Sequence, residues 1–198
     1  MKNKFCVFFL IFQIFALPVF AIEKPCVFQL ALGSGANSYG ATEITELKQN
    51  YFATDKVHIF ANFETSFNFY LDEYFQFCLG AITSFDLFQK SANSLFMLDY
   101  DAFFGARIFP GLPAFCFGVD YICGSFYKIS RLDGEKNNNF NPWSNGFRFI
   151  CEYNFMKNKP KWSPAVGIYW QNMPRLGGYD NRLAIYVKAS LRGLKKGT

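Results

Sequence analysis

The chain has 198 residues, of which 51% are hydrophobic, 21% aromatic and 18% charged, and its formal net charge is +5. The aromatic content excludes intrinsic disorder, and no apolar run after the N-terminus approaches the roughly 18–20 residues that a membrane-spanning helix needs. A net charge this small gives no argument for nucleic acid as a partner.

The N-terminal segment has the pattern of a secretory signal peptide. A short basic start is followed by an apolar run, Phe5 to Phe20, and by Ala21 in a small-residue cleavage motif. We therefore predict a signal peptide over residues 1–21 and a single β-barrel domain over residues 22–198. An uncleaved anchor and a lipoprotein acylated at Cys26 are the alternatives.

From residue 26 onward, apolar and polar residues alternate with a period of two, which predicts strands. Eight strands are predicted in chain order, near residues 26–34, 56–71, 74–86, 95–109, 114–127, 145–156, 162–172 and 182–191. Short turns are predicted at 72–73, 110–113 and 157–161, and longer connections at 34–55, 128–144 and 173–180. Within the first long connection, residues 42–51 predict a short helix.

One face of every predicted strand is apolar, and the other carries small and charged residues. In the fourth strand, Phe96, Leu98 and Phe104 alternate with Asp99 and Asp101. An eight-stranded barrel has an interior just wide enough to be filled by side chains, so the whole apolar set does not fit inside. We therefore predict an all-β fold, an eight-stranded antiparallel up-and-down transmembrane β-barrel whose apolar face meets lipid. A soluble secreted lipocalin-like binding barrel and a two-sheet secreted sandwich are the alternatives.

This pattern resembles the small eight-stranded outer-membrane barrels of the OmpA, OmpX and OmpW type. The resemblance covers residues 26–191 and is architectural, because no motif identifies one member. It implies a bacterial protein of the cell outer membrane, with outer-membrane lipid and the barrel insertion machinery as partners. The C-terminus departs from the pattern, because the last strand ends at Leu191 and a tail follows instead of the usual terminal aromatic residue.

Charged residues on the inward face are predicted to form a lumenal charge network. A charge in a packed lumen must be paired or in contact with water, and both signs are present. Because the inward residues of the first strand are small, Glu64 and Lys188 are predicted to meet across it. The predicted network comprises Glu64, Asp99, Asp101, Arg107, Asp120, Arg148, Glu152 and Lys188.

The connection at 128–144, with Asn137 to Asn139 at its predicted tip, is the candidate surface for an extracellular ligand. It combines basic and aromatic residues, which suit anionic lipid headgroups or host molecules. The loop binding candidates are Lys128, Arg131, Lys136, Phe140 and Trp143.

The sequence predicts no enzyme, no cofactor and no metal site. His58 is the single His, and no nucleophile or acid stands at a persuasive spacing from it on the same face. No paired Cys motif or Cys/His cluster is present, and a disulfide between Cys123 and Cys151 is left open. We therefore predict a structural or loop-mediated binding role with a side-chain-filled lumen. A narrow channel for small or apolar solutes and a lipid-modifying barrel enzyme are the remaining alternatives.

Overall fold

A computed structural model of the chain describes residues 26–71, 74–110, 114–141, 143–155, 162–175 and 177–192. Within these ranges it contains one helix, α1 (Thr42–Phe52), and nine strands. The strands are β1 (Cys26–Ser38), β2 (Val57–Tyr70), β3 (Phe75–Lys90), β4 (Asn93–Ile108), β5 (Phe115–Leu132), β6 (Glu135–Phe140), β7 (Ser144–Asn154), β8 (Trp162–Arg175) and β9 (Gly178–Arg192). The predicted signal peptide, the turns at 72–73, 111–113 and 157–161, and the tail from residue 193 lie outside the described residues.

The strands form one antiparallel sheet that closes on itself. β1 pairs with both β2 and β9, and β4 pairs with β5, so the ring of neighbouring strands has no break. β6 and β7 occupy the same position beside β5, β6 along residues 127–132 and β7 along residues 115–124. The prediction of an all-β, eight-stranded antiparallel barrel is confirmed. Closure lets the backbone N–H and C=O groups of the wall pair with each other, as a structure in lipid requires.

The apolar face of the wall points outward. Phe104 exposes 63% of its surface, whereas the neighbouring Phe103 exposes 4%; Ile185 and Tyr186 expose 62% and 6%. The same alternation runs along the other strands, so the predicted assignment of faces is confirmed. The lipocalin-like barrel and the sandwich would have turned the apolar face inward, and both alternatives are wrong.

The strands continue into tight hairpins at the end of the barrel where long loops were predicted. β3 and β4 are separated only by residues 91–92, and β8 and β9 only by residues 176–177. Asp133 and Gly134, with φ angles of 52° and 88°, join β5 to β6. An Asp-Gly pair with positive φ at both positions is the preferred turn of a two-residue hairpin. Placing the tip of this connection at Asn137 to Asn139 was therefore wrong, because these residues lie in β6.

The β1–β2 connection carries the predicted helix, and α1 packs over the mouth of the barrel. Ile44 and Phe52 are its buried residues. They pack in one cluster with Phe88, Leu95 and Phe126, which project from β3, β4 and β5. We call this end of the barrel the helix end, and the other the opposite end. In the described part of the chain, no helix combines the length and the apolar character needed to cross a membrane.

The register of β5 and β7 decides the disulfide left open by the sequence. Cys123 lies opposite Asn145, whereas Cys151 lies opposite Phe117. Six residues therefore separate the two positions along the strand, which is about 20 Å at roughly 3.4 Å per residue. A disulfide needs Cα atoms within about 7 Å, so both thiols are free.

The packing of α1 predicts that its attachment depends on Phe52. We expect Phe52→Ala to weaken this packing by about 3–5 kcal/mol, because a fully buried ring leaves a cavity. The helix should detach while the barrel stays closed, so trypsin should cut at Lys48 and Lys56 and the barrel should keep its resistance to SDS. Gln49→Ala, at an exposed position of the same helix, is the control. Equal protection of the two variants from trypsin would show that Phe52 does not hold α1 on the barrel.

Candidate functional site

The inward positions of the wall bring the predicted charged residues into the lumen. Seven of the eight are buried, and Glu64 is half-buried. They form two clusters rather than one continuous network, and the Glu152–Lys188 pair adjoins one of them, with Glu152 Oε1 4.0 Å from Arg107 Nε.

The Asp120 cluster, consisting of Glu64, Arg107, Asp120 and Arg148, lies across β2, β4, β5 and β7. Asp120 stands opposite Gly105 on one side and Arg148 on the other. Its carboxylate accepts hydrogen bonds from Arg107 Nη1 and Nη2 at 2.5 and 3.1 Å, and from Arg148 Nε at 2.8 Å. Arg148 Nη1 donates to Glu64 at 2.5 Å. Charge-assisted bonds of this kind are the strongest in proteins, so the cluster links four strands across the lumen.

The pair of Glu152 with Lys188 corrects one prediction. Glu64 and Lys188 both flank Ala31 in the register, as the sequence suggested. However, Glu64 turns to Arg148, and Lys188 pairs with Glu152. The predicted Glu64–Lys188 pair is therefore wrong, because each long side chain finds a partner across the lumen rather than beside its own strand.

The Asp99 cluster contains two arginines that the sequence analysis missed. Arg175 donates to Asp99 at 2.9 Å, and Arg182 donates to the other oxygen of the same carboxylate. Asp101 lies 3.7 Å from both guanidinium groups and accepts a hydrogen bond from Gln171 at 3.2 Å. These residues, Asp99, Asp101, Arg175 and Arg182, lie nearer the helix end than the Asp120 cluster.

A signal for both arginines was present in the sequence. Arg182 is an even number of residues away from Lys188 in the same predicted strand, so the alternation places both on the inward face. Arg175 has the parity of Gln171, but it fell within a stretch predicted as a connection. Extending the period of two to the hairpin turn at residue 177 would have placed both in the lumen.

His58 has an acidic partner that the sequence analysis also missed. Its Nε2 lies 2.6 Å from Asp86 Oδ1, and its ring stacks on Phe88 with the centroids 4.1 Å apart. The other oxygen of Asp86 accepts a hydrogen bond from Tyr39 at 2.6 Å. Asp86 thus ties the end of β1 to β2. It was missed because it comes from the neighbouring strand, at a position that only the register of β2 and β3 brings close.

Two ionisable side chains of α1 contact the strands at the helix end. Burial lowers the pKa of Lys48, whose ammonium lies 4.7 Å from the centroid of Phe88. The hydrogen bond from Tyr51 to Asp133, at 3.0 Å, raises the pKa of the Tyr51 phenol. Tyr51 therefore connects the cap to the turn between β5 and β6.

The five loop binding candidates separate into three groups. Lys128 is not in a loop: it lies in β5, faces inward and is buried, and it pairs with Glu43 of α1. It was misplaced because β5 continues beyond the predicted end of the strand. Arg131 and Lys136 are exposed on the β5–β6 hairpin. Phe140 and Trp143 lie further along the chain and pack against Tyr100 on the outer face of the wall.

Paired charges lie in the lumen below α1. A cavity of about 20 Å³ lies near the opposite end, beside Glu152, Lys188 and Ser163, and this volume holds about one water molecule. Among the described residues, no group of three His, Cys, Asp or Glu side chains is placed to hold a metal ion.

Comparison with known proteins identifies the fold. No protein-family model and no curated protein match the chain. Neisserial surface protein A (NspA) aligns with a TM-score of 0.52 and 9% identity, over 85% of this chain and 97% of NspA. Ail, the attachment invasion locus protein of Yersinia pestis, in complex with the heparin analogue sucrose octasulfate, aligns with a TM-score of 0.57 and 8% identity, over 87% of this chain and 100% of Ail. The chain thus shares the fold of the small outer-membrane barrels, as the resemblance implied.

The geometry of the Asp120 cluster predicts strong coupling between Arg148 and Glu64. We expect Arg148→Ala to lower the free energy of unfolding by about 3–5 kcal/mol, because it leaves buried carboxylates without their partner. The double variant Glu64→Gln/Arg148→Met should recover part of this loss. Residue 64 is then uncharged, and Asp120 still pairs with Arg107. The measurement is urea-induced unfolding in lipid vesicles for the parent, Arg148→Ala, the single variants Glu64→Gln and Arg148→Met, and the double variant. Strictly additive effects would show that the two side chains do not interact.

Proposed function

We propose that this protein is an outer-membrane barrel with a structural or binding role, and that its lumen does not conduct. The observation that carries the proposal is the inversion of faces. The apolar side chains form the outer surface, while the ion pairs occupy the interior. A soluble protein does not expose an apolar surface of this extent, which is stable only against lipid.

The closed wall supports the proposed placement in the cell outer membrane. A barrel without edges satisfies its backbone hydrogen bonds internally, and outer-membrane barrels have apolar bands facing lipid. The proposed partners are outer-membrane lipid and the barrel insertion machinery. Such barrels carry their longer connections outside the cell, so we assign the helix end, with the α1 connection, to the extracellular side.

The proposed role excludes both transport and catalysis. The Asp120 and Asp99 clusters occupy the space that a pore would need, and α1 closes the helix end. His58 and Asp86 bond to each other and hold Tyr39, so we assign them to structure.

We further propose that the helix end is a binding surface, presented by Arg131, Lys136, Phe140 and Trp143. These residues are grouped by the β5–β6 hairpin and the segment that follows it. The names of NspA as a surface protein and of Ail as an attachment protein agree with a role of this kind.

The outward position of Phe104 tests the membrane assignment. We expect Phe104→Arg to cost about 2–4 kcal/mol of folding free energy in bilayers, because a charge at mid-wall then meets hydrocarbon. Gln49→Arg on the exposed surface of α1 is the matched control and should fold as the parent does. The measurement is reversible folding into phosphatidylcholine vesicles. If Phe104→Arg folds as well as the control, the wall does not face lipid.

The filled lumen predicts the electrical behaviour of the reconstituted protein. The parent should show no conductance in planar bilayers, or only small and intermittent events, because paired charges block the lumen. Glu152→Ala should increase the leak and reduce stability, since it leaves Lys188 unpaired. Steady porin-like conductance from the parent would instead favour the channel alternative.

A further inference from the structure

Two cations stand side by side on the β5–β6 hairpin. Arg131 and Lys136 are opposite each other in the register, and both are exposed. Side chains paired in this way have Cβ atoms about 4.5–5.5 Å apart, and like charges at this spacing destabilise a hairpin. None of the ion pairs among the described residues includes either cation.

The neighbouring acidic residues do not relieve this repulsion. Asp133 in the turn accepts a hydrogen bond from Tyr51 of α1. Glu135 precedes Lys136 by one residue, so the alternation of the strand places it on the other face. The residues beside Arg131 on the next two strands are neutral. Ser94 of β4 lies opposite Arg131, and Gln89 of β3 lies opposite Ser94. The outer face of the hairpin therefore carries an uncompensated positive charge.

An apolar surface begins directly beside the two cations on the same outer face. Ile129 stands two residues before Arg131 in β5, and Tyr127 two residues before Ile129, opposite Phe140 of β6. Trp143, half exposed at 53%, follows on this face and packs edge-on against Tyr100. Aromatic residues of this kind mark the level of the headgroups in membrane proteins. The cations thus lie where a lipid places its phosphate when its chains run along the wall.

We propose that Arg131 and Lys136 bind the phosphate group of a lipid in the leaflet that surrounds the helix end. The guanidinium of Arg131 matches two phosphate oxygens, and the ammonium of Lys136 adds a point charge to the same group. The acyl chains lie against Ile129, Tyr127 and Phe140. This inference rests on the proposed membrane placement and names the partner of the proposed binding surface.

Quenching of Trp143 tests the site. Trp162→Phe and Trp170→Phe leave Trp143 as the single tryptophan, because the chain has 3. This background is reconstituted in phosphatidylcholine vesicles that contain either brominated phosphatidic acid or brominated phosphatidylcholine. We expect brominated phosphatidic acid to quench Trp143 more strongly than brominated phosphatidylcholine does. Each basic residue near an anionic headgroup contributes about fivefold to affinity, so Arg131→Gln/Lys136→Gln should reduce the preference on the order of 25-fold.

The control is Lys56→Gln/Lys90→Gln, which removes the same charge at the same end of the barrel but away from this face. An unchanged preference in the control supports the site, whereas an equal loss shows a general charge effect and overturns it. Dissolved inorganic phosphate is added to phosphatidylcholine vesicles as a second arm. If it stabilises the parent against heat as phosphatidic acid does, the partner is a free anion and the lipid assignment is wrong.

Flotation with the vesicles separates this inference from the proposed function. A parent chain that does not float with lipid overturns both. A parent chain that floats but shows no preference for phosphatidic acid overturns the lipid site alone. The preference of the parent is decisive even if the double variant does not fold.

Discussion

Charged side chains in the interior of a narrow barrel stay buried only when each meets an opposite charge, and the rest of this structure depends on that constraint. Asp120, with an arginine on either side, is its centre. Its partners come from β4 and β7, and Arg148 extends the cluster to Glu64 on β2. β4, β5 and β7 are neighbours in the sheet, whereas Glu64 on β2 meets Arg148 only because the barrel is closed. The ion pairs therefore favour one closed arrangement of the strands, and in doing so they occupy the lumen.

The composition of the lumen changes along its length. Ion pairs fill the region of the Asp120 and Asp99 clusters, whereas Phe88, Leu95 and Phe126 line the mouth at the helix end. These apolar side chains need a cover, which α1 supplies through Ile44 and Phe52. The contacts at the helix end are therefore hydrophobic, and those in the middle of the barrel are electrostatic. At the helix end, α1 covers the mouth of the barrel, and the hairpin surfaces are exposed.

The cations of the β5–β6 hairpin contrast with those of the lumen. Arg107, Arg148 and Lys188 each have an acidic partner, as their burial demands. Arg131 and Lys136 are exposed, and water tolerates their repulsion at a cost in hairpin stability. The chain thus pairs its interior cations and leaves this exposed pair beside an apolar wall without an acidic partner among the ion pairs of the described residues.

The sequence by itself determined the strands, their two faces and the parity that turns Arg148, Asp120 and Glu152 inward, because a period of two is a local property of the chain. It also indicated the helix in the β1–β2 connection. The sequence did not determine partners. The pairing of Glu64 with Arg148 instead of Lys188, the contact of Asp86 with His58 and the separation of Cys123 from Cys151 depend on register and barrel closure, which are relations between distant segments. The tertiary structure also decided that Lys128 is buried beneath α1, because β5 continues past the predicted strand end and the helix folds back over it.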